Sequence, residues 1–258
     1  MDPALLTLLG LAVFGAATLQ AATGIGYGVI AGPIFLVALN GAEAIQISAL
    51  HNLAIALILA PMLRGGVEKR VLLWLMAGSS AGIAFGLGLQ SLLNVAALKL
   101  VAAAMVAFVA FTLVADMRRT AGRAKPPPAA VETASIGTLA GIMGGMLAMP
   151  GPLAATWMSL RAFDKTSVRA TILAFFVFAY GANVLTYTLV SGFGTETLKL
   201  AAWLAPALIL GIAAGSGGIG ATVGPLGLAV RDSETPSPDG LGDVRLTLDD
   251  GTFVWIEV

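Results

Sequence analysis

Long apolar runs, parted by short polar or glycine-rich interruptions, make up this chain as far as Gly220. Val71 to Leu93 and Val95 to Ala115 each have the length, about 20 residues, that crosses a hydrocarbon layer as one helix. Ala4 to Ala22, Ala44 to Leu63, Val168 to Val190 and Leu198 to Gly220 read the same way, with Thr133 to Leu147 as a further helix. Two interruptions differ from the rest. Gln20 to Pro33 (QAATGIGYGVIAGP) gathers Gly24, Gly26, Gly28, Gly32 and Pro33 between apolar flanks, and Met143 to Pro152 (MGGMLAMPGP) sets Gly145, Pro150, Gly151 and Pro152 in a similar place in the second half. Glycine and proline at that density unwind a helix, and unwound backbone at membrane depth is tolerated only inside protein or beside a watery cavity. Two interrupted apolar segments in matching positions point to a carrier's binding site, with free amide N–H groups and positive helix ends turned towards an anion.

Small residues recur at helical spacing in two further places. Gly78, Gly82 and Gly86 lie four apart, as do Gly137, Gly141 and Gly145. Such ladders let membrane helices approach closely, within one chain or between copies, and a homo-oligomer formed through these faces is one expectation.

Composition narrows the class. The chain has 258 residues, is 58% hydrophobic and 11% charged, and has a mean hydropathy of +0.92, too apolar for a water-soluble domain. With no cysteine, disulfides and thiolate metal sites are excluded; the lone histidine argues against a histidine metal cluster, and no cofactor is expected. No basic, aromatic-rich patch suggests nucleic acid. The first apolar segment follows Met1-Asp2-Pro3 without a basic leader, and is expected to stay as a membrane helix.

The formal net charge of zero conceals a division: 12 Lys and Arg against 7 Asp and Glu up to Gly220, and 2 against 7 from Ala221 onward. Basic residues cluster at 64–70, 117–132 and 161–169, and all three clusters are expected on the cytoplasmic side. Ala44 to Leu63 then runs inward and Val168 to Val190 outward, so the halves are inverted, and each broken pair (4–39 and 133–160) starts and finishes on one side. The predicted fold is an all-α polytopic membrane protein of two inverted repeats of transmembrane helices with broken or re-entrant segments. Residues 1–117 form the first repeat, 118–132 a basic, proline-rich cytoplasmic linker, 133–220 the second repeat and 221–258 a polar acidic tail. Within the tail, Val244 to Leu248 and Thr252 to Val258 alternate like strands around Asp249-Asp250-Gly251, a hairpin signal.

Polar groups inside apolar helices are the remaining candidates, because intramembrane polar residues are costly. Gln46, Ser48, His51 and Asn52 share the helix after the first break; Thr166, Ser167, Arg169 and Thr171 hold the corresponding place after the second, and Asn183 lies deep in its helix. Each has a plainer reading. His51 and its neighbours serve as well as interhelical hydrogen bonds, or His51 as a proton carrier. Arg169 supplies a cation for an anion or snorkels to the cytoplasmic surface. Lys99 and Lys199 also read as snorkelling. Ser79 or Ser80 with His51 sketches an intramembrane serine protease, but no second base or oxyanion group accompanies them. A non-transporting structural partner is the other alternative.

The GIGYG…GP break, the following helix with small hydroxyl residues, the basic linker, and the GG…PGP break followed by KTSVRAT resemble the sulfite exporter TauE/SafE family, from Ala4 to about Gly220. The resemblance implies a multi-pass inner-membrane permease of two repeats, moving sulfite, organosulfonates or other small organic anions through the lipid bilayer. It also implies a further spanning helix after Gly220. The acidic tail stands in that helix's place, either as a small cytosolic appendage or as a frame-shifted end.

Overall fold

A computed structural model describes residues 2–61, 66–117 and 128–221, and the backbone of three short strands beyond them. Nine α-helices occur among the described residues: α1 (Pro3–Thr23), α2 (Tyr27–Leu39), α3 (Glu43–Leu59), α4 (Lys69–Leu92), α5 (Val95–Met117), α6 (Ala130–Leu147), α7 (Gly151–Leu160), α8 (Lys165–Val190) and α9 (Thr195–Ala221). Six of them, α1, α4, α5, α6, α8 and α9, are long and apolar enough to cross a membrane. This is a multi-pass membrane protein, and its outer surface agrees: Leu11, Phe85, Phe111, Leu189 and Ile209 are exposed, as a lipid-facing surface requires.

Local chemistry sets the helix ends. The Asp2 carboxylate accepts from the Ala4 N–H at 3.0 Å, and Pro3 follows at the first helical position, where its missing N–H costs nothing. Asp164 does the same for α8, accepting from the Ser167 N–H at 2.9 Å. The helix expected over Ala44 to Leu63 is shorter than a full span: α3 stops at Leu59, ahead of Pro61, which has no N–H to continue it. The first break is also narrower than its sequence suggests. It occupies 24–26, and Pro33 lies inside α2, which runs on through it. The second break occupies 148–150.

The two glycine ladders face each other. A Cβ on Gly78, Gly82 or Gly86 would meet the backbone of Ala134, Thr138 or Ile142, and one on Gly137, Gly141 or Gly145 would meet Leu75, Ser79 or Ile83. The faces expected to join copies of the chain are therefore occupied within it by α4 against α6, and Thr138 adds a hydroxyl bond to the Gly78 carbonyl at 3.1 Å. Close contact also joins α1 to α9, where Gly211 and Gly215 lie against the carbonyls of Phe14 and Thr18. Between these pairs, α3 packs on α8, with α2 and α7 beside them.

Each broken pair begins and ends at one end of the bundle. Leu6 of α1 and Leu39 of α2 share the wall of a cavity of ≈ 390 Å³ with Glu43 of α3 and Trp203 of α9. At the other end, Glu132 of α6 pairs with Arg161 after α7 and accepts from the Trp157 indole N–H at 2.9 Å. The start of α4 belongs to this second end, because the Glu68 N–H donates to the Thr171 hydroxyl at 2.9 Å and Gly66 packs on Thr166. Lys69, Arg70, Arg161 and Lys165 thus lie at this one end of the bundle. Residues 118–127 of the expected linker, and Arg64, lie outside the described residues. In the tail, β1 (Ala229–Val230), β2 (Val244–Thr247) and β3 (Phe253–Ile256) form an antiparallel sheet in that order, with Val244 opposite Ile256 and Thr247 opposite Phe253, so the strands of the expected hairpin pair; its turn lies outside the described residues.

Candidate functional site

The first break is made by two glycines in backbone conformations that L side chains rarely adopt. Gly24 closes α1 at φ 85° and Gly26 precedes α2 at φ 141°, where a Cβ would also stand 2.9 Å from Leu19. Across the gap, the Gln20 side-chain oxygen accepts from the Tyr27 N–H at 2.8 Å, so the last turn of α1 caps the first turn of α2. Arg169, from the first turns of α8, lies over the same break. Its aliphatic stem packs on Gly24, and its guanidinium donates to the Ala21 carbonyl at 2.5 Å, a cation at the negative end of α1.

The second break turns at Ala148, whose φ is 54° and whose N–H donates to the Gly144 carbonyl at 2.8 Å. Pro150 packs on Gly144, and Gly151, opening α7, lies against the Phe176 ring. Two side chains of α8 reach the exposed end of α6. The Tyr180 hydroxyl donates to the Ala148 carbonyl at 3.2 Å, and the Asn183 amide nitrogen donates to the Gly144 carbonyl at 2.9 Å.

The breaks touch. A Cβ on Gly28 would stand 2.9 Å from the Ala148 carbonyl oxygen and 3.6 Å from the Asn52 amide nitrogen, and Met149 packs over Gly28 and Gly32. Around this contact several buried polar atoms have no hydrogen-bond partner among the described residues: Gln20 Nε2, Ser48 Oγ, Asn52 Oδ1, Asn183 Oδ1 and Arg169 Nε. All but Arg169 belong to side chains at most 1% exposed. Leaving such atoms unpaired costs about 1–3 kcal/mol each, which makes their cluster the candidate site.

Other expected site residues make the following contacts. His51 is satisfied on both sides: Nδ1 lies 2.6 Å from the Tyr27 hydroxyl and Nε2 lies 3.0 Å from the Ala201 carbonyl, joining α3 to α2 and α9. Gln46 reaches the Gly192 carbonyl at 3.4 Å, at the cavity end of the bundle. Gly145 belongs to the α4–α6 contact, Thr171 holds the segment before α4, and Thr166 and Ser167 lie in the first turn of α8. Pro152 sits in the first turn of α7. Ser79 and Ser80 both donate to the Met76 carbonyl, at 3.1 and 2.9 Å, while His51 pairs with Tyr27 and Ala201, so neither serine forms the protease dyad. No group of three His, Asp or Glu that could hold a metal ion occurs among the described residues. Sequence reasoning missed Gln20, Tyr27, Ala148 and Tyr180 as site members. A signal existed for two of them: Gln20 is a lone amide one turn before the glycine break, and Tyr180 precedes Asn183 by three, on the same helix face.

A family model described as Sulfite exporter TauE/SafE matches residues 9–227. No curated protein and no solved structure matches the chain.

Proposed function

From the premise that the chain belongs to the sulfite exporter TauE/SafE family, whose members are transporters and not enzymes, we propose that it is an inner-membrane permease for a small anion. Sulfite, organosulfonates and small organic acids are the candidate cargoes. The anion binds at the first break, and the observation that carries this site is that the two unpaired side-chain atoms there, Gln20 Nε2 and Arg169 Nε, are both donors. They stand beside the N-terminus of α2, whose dipole adds positive potential. Gly24, Gly26 and Gly28 let the backbone come close, and Arg169 supplies the positive charge. Ser48 and Asn52 border the contact with the second break, where Pro150, Gly151 and Pro152 open α7.

Transport by alternating access of two inverted repeats is supported by the packing. Gly82 and Gly86 of α4 press on the carbonyls of Thr138 and Ile142, four apart on α6; Gly211 and Gly215 of α9 press in the same way on Phe14 and Thr18, four apart on α1. Exchanging α1 with α6, α2 with α7, α3 with α8 and α4 with α9 maps the contacts α1–α9, α1–α2, α2–α3 and α3–α9 onto α4–α6, α6–α7, α7–α8 and α4–α8, all of which occur. The basic residues at the starts of α4 and α8, with Arg161 after α7, support a cytoplasmic location for that end. The test is efflux from proteoliposomes loaded with sulfite, an organosulfonate or a small organic acid. Flux above protein-free vesicles for at least one of them is expected; none for any of the three classes refutes the reading.

A further inference from the structure

The unpaired amide atoms beside the second break are of the opposite kind. The Asn183 amide nitrogen donates to the Gly144 carbonyl and that of Asn52 donates to the Ser48 carbonyl at 2.9 Å. Carbonyls only accept, so both side chains are fixed with nitrogen towards the backbone and oxygen left over. Among the described residues Asn183 Oδ1 and Asn52 Oδ1 are buried acceptors without a donor, and Ser48 Oγ, one turn from Asn52, is also unpaired. The Asn52 and Asn183 side chains reach the end of α6 from two sides, each with its amide nitrogen nearest the α6 backbone. A Cβ on Gly28 would stand between the Asn52 amide nitrogen, at 3.6 Å, and the Ala148 carbonyl, at 2.9 Å, and Asn183 comes from α8 to the Gly144 carbonyl. The C-terminus of a helix carries negative potential, which adds to that of the amide oxygens. An anion is disfavoured here; a cation fits.

We propose that the end of α6, with Asn52, Asn183, Ser48 and the Ala148 carbonyl, binds a monovalent alkali cation, sodium, next to the anion site. Neutral oxygen donors suit a hard cation, and the lack of any carboxylate among them favours single over double charge. The ion rests on the permease reading only for its role: bound across the Gly28 contact from the anion, it offsets the cargo's charge and couples its movement to a sodium gradient.

Two measurements on the full chain keep the two readings apart. In detergent without substrate, NaCl is expected to raise the melting temperature by several degrees over choline chloride at equal ionic strength, through binding to the folded state alone, and KCl to do less. Asn183→Leu and the smaller change Asn183→Ser are each expected to weaken the apparent sodium affinity roughly tenfold or more, the loss of a bond to a charged group. Equal melting temperatures in all three salts, or a sodium response unchanged in both variants, overturn the site. In proteoliposomes, anion flux is expected to rise severalfold under a sodium gradient compared with choline. Flux that ignores sodium overturns the coupling, whereas a sodium-dependent melting shift without flux of any tested anion counts only against the permease reading.

Discussion

The Ala148 carbonyl oxygen lies so near Gly28 that a Cβ there would stand 2.9 Å from it, which brings the start of α2 and the end of α6 together backbone to backbone. This one contact sets donor-bearing and acceptor-bearing breaks side by side. Gly28→Ala is expected to push the helices apart at a point where only backbone can give, costing about 1–3 kcal/mol. Anion flux in proteoliposomes should fall roughly tenfold or more, with Gly28→Val inactive. Unchanged flux in Gly28→Val would show that the two breaks work independently.

The α4–α6 contact leaves no room for side chains at its centre. Gly82→Leu, against the Thr138 backbone, is expected to abolish the folded, monodisperse protein in size-exclusion chromatography. Gly88→Leu is the control, since nothing lies within 4 Å of its Cβ position, and should change stability by no more than about 0.5 kcal/mol.

Arg169 carries the charge at the first break. Arg169→Gln keeps a donor but removes the positive charge, and should raise KM for anion flux roughly tenfold with a smaller change in maximal rate. Arg169→Lys should recover part of this, because the charge returns without the fixed fork of donors. A variant with normal KM would assign Arg169 to capping α1 alone.

Asp164 gives a pH-dependent test away from the membrane core. Hydrogen bonds from the Ser167 side chain and backbone hold its carboxyl below its ordinary value of 3.8. A depressed carboxylate stabilises the fold above its unfolded-state pKa and loses that contribution as pH falls through the folded value. Asp164→Ala should therefore cost about 1 kcal/mol near neutral pH and less once wild-type Asp164 is itself protonated and only a neutral cap remains. Melting curves of both proteins down the acid range check the convergence; Asp164→Ser should behave nearly as wild type at neutral pH.

The sequence carried much of this fold in its periodicity, because lipid imposes apolar runs of a fixed minimum length and punishes any break in them. The two breaks, the ladders and most helix ends were legible for that reason. Which ladder met which was not: glycines four apart announce a close neighbour without naming it, so the choice of α6 for α4 emerged only from the packing. Partners of single side chains were equally hidden. Ser48, Asn52 and Asn183 were visible as costly intramembrane groups, yet only the carbonyls they face decide which of their atoms stay unpaired. Pro33 misled, since an α-helix can keep a proline when neighbouring helices support it.

His51 is the residue whose role the hydrogen bonds decide most directly. Its Nε2 faces the Ala201 carbonyl, which can only accept, so Nε2 carries the proton; a neutral ring then leaves Nδ1 to accept from the Tyr27 hydroxyl. Paired on both sides, with the Tyr27 and Phe35 rings beside it, His51 joins helices through both ring nitrogens. Tyr27→Phe should cost about 1–3 kcal/mol, the penalty for a buried nitrogen left without its donor, while the pH profile of flux keeps its position. The double variant with His51→Leu should cost less than the sum of the two single changes, because it removes both ends of the pair together. Should Tyr27→Phe instead leave the melting temperature alone and move the pH profile of flux by a unit or so, His51 would be handling protons during transport.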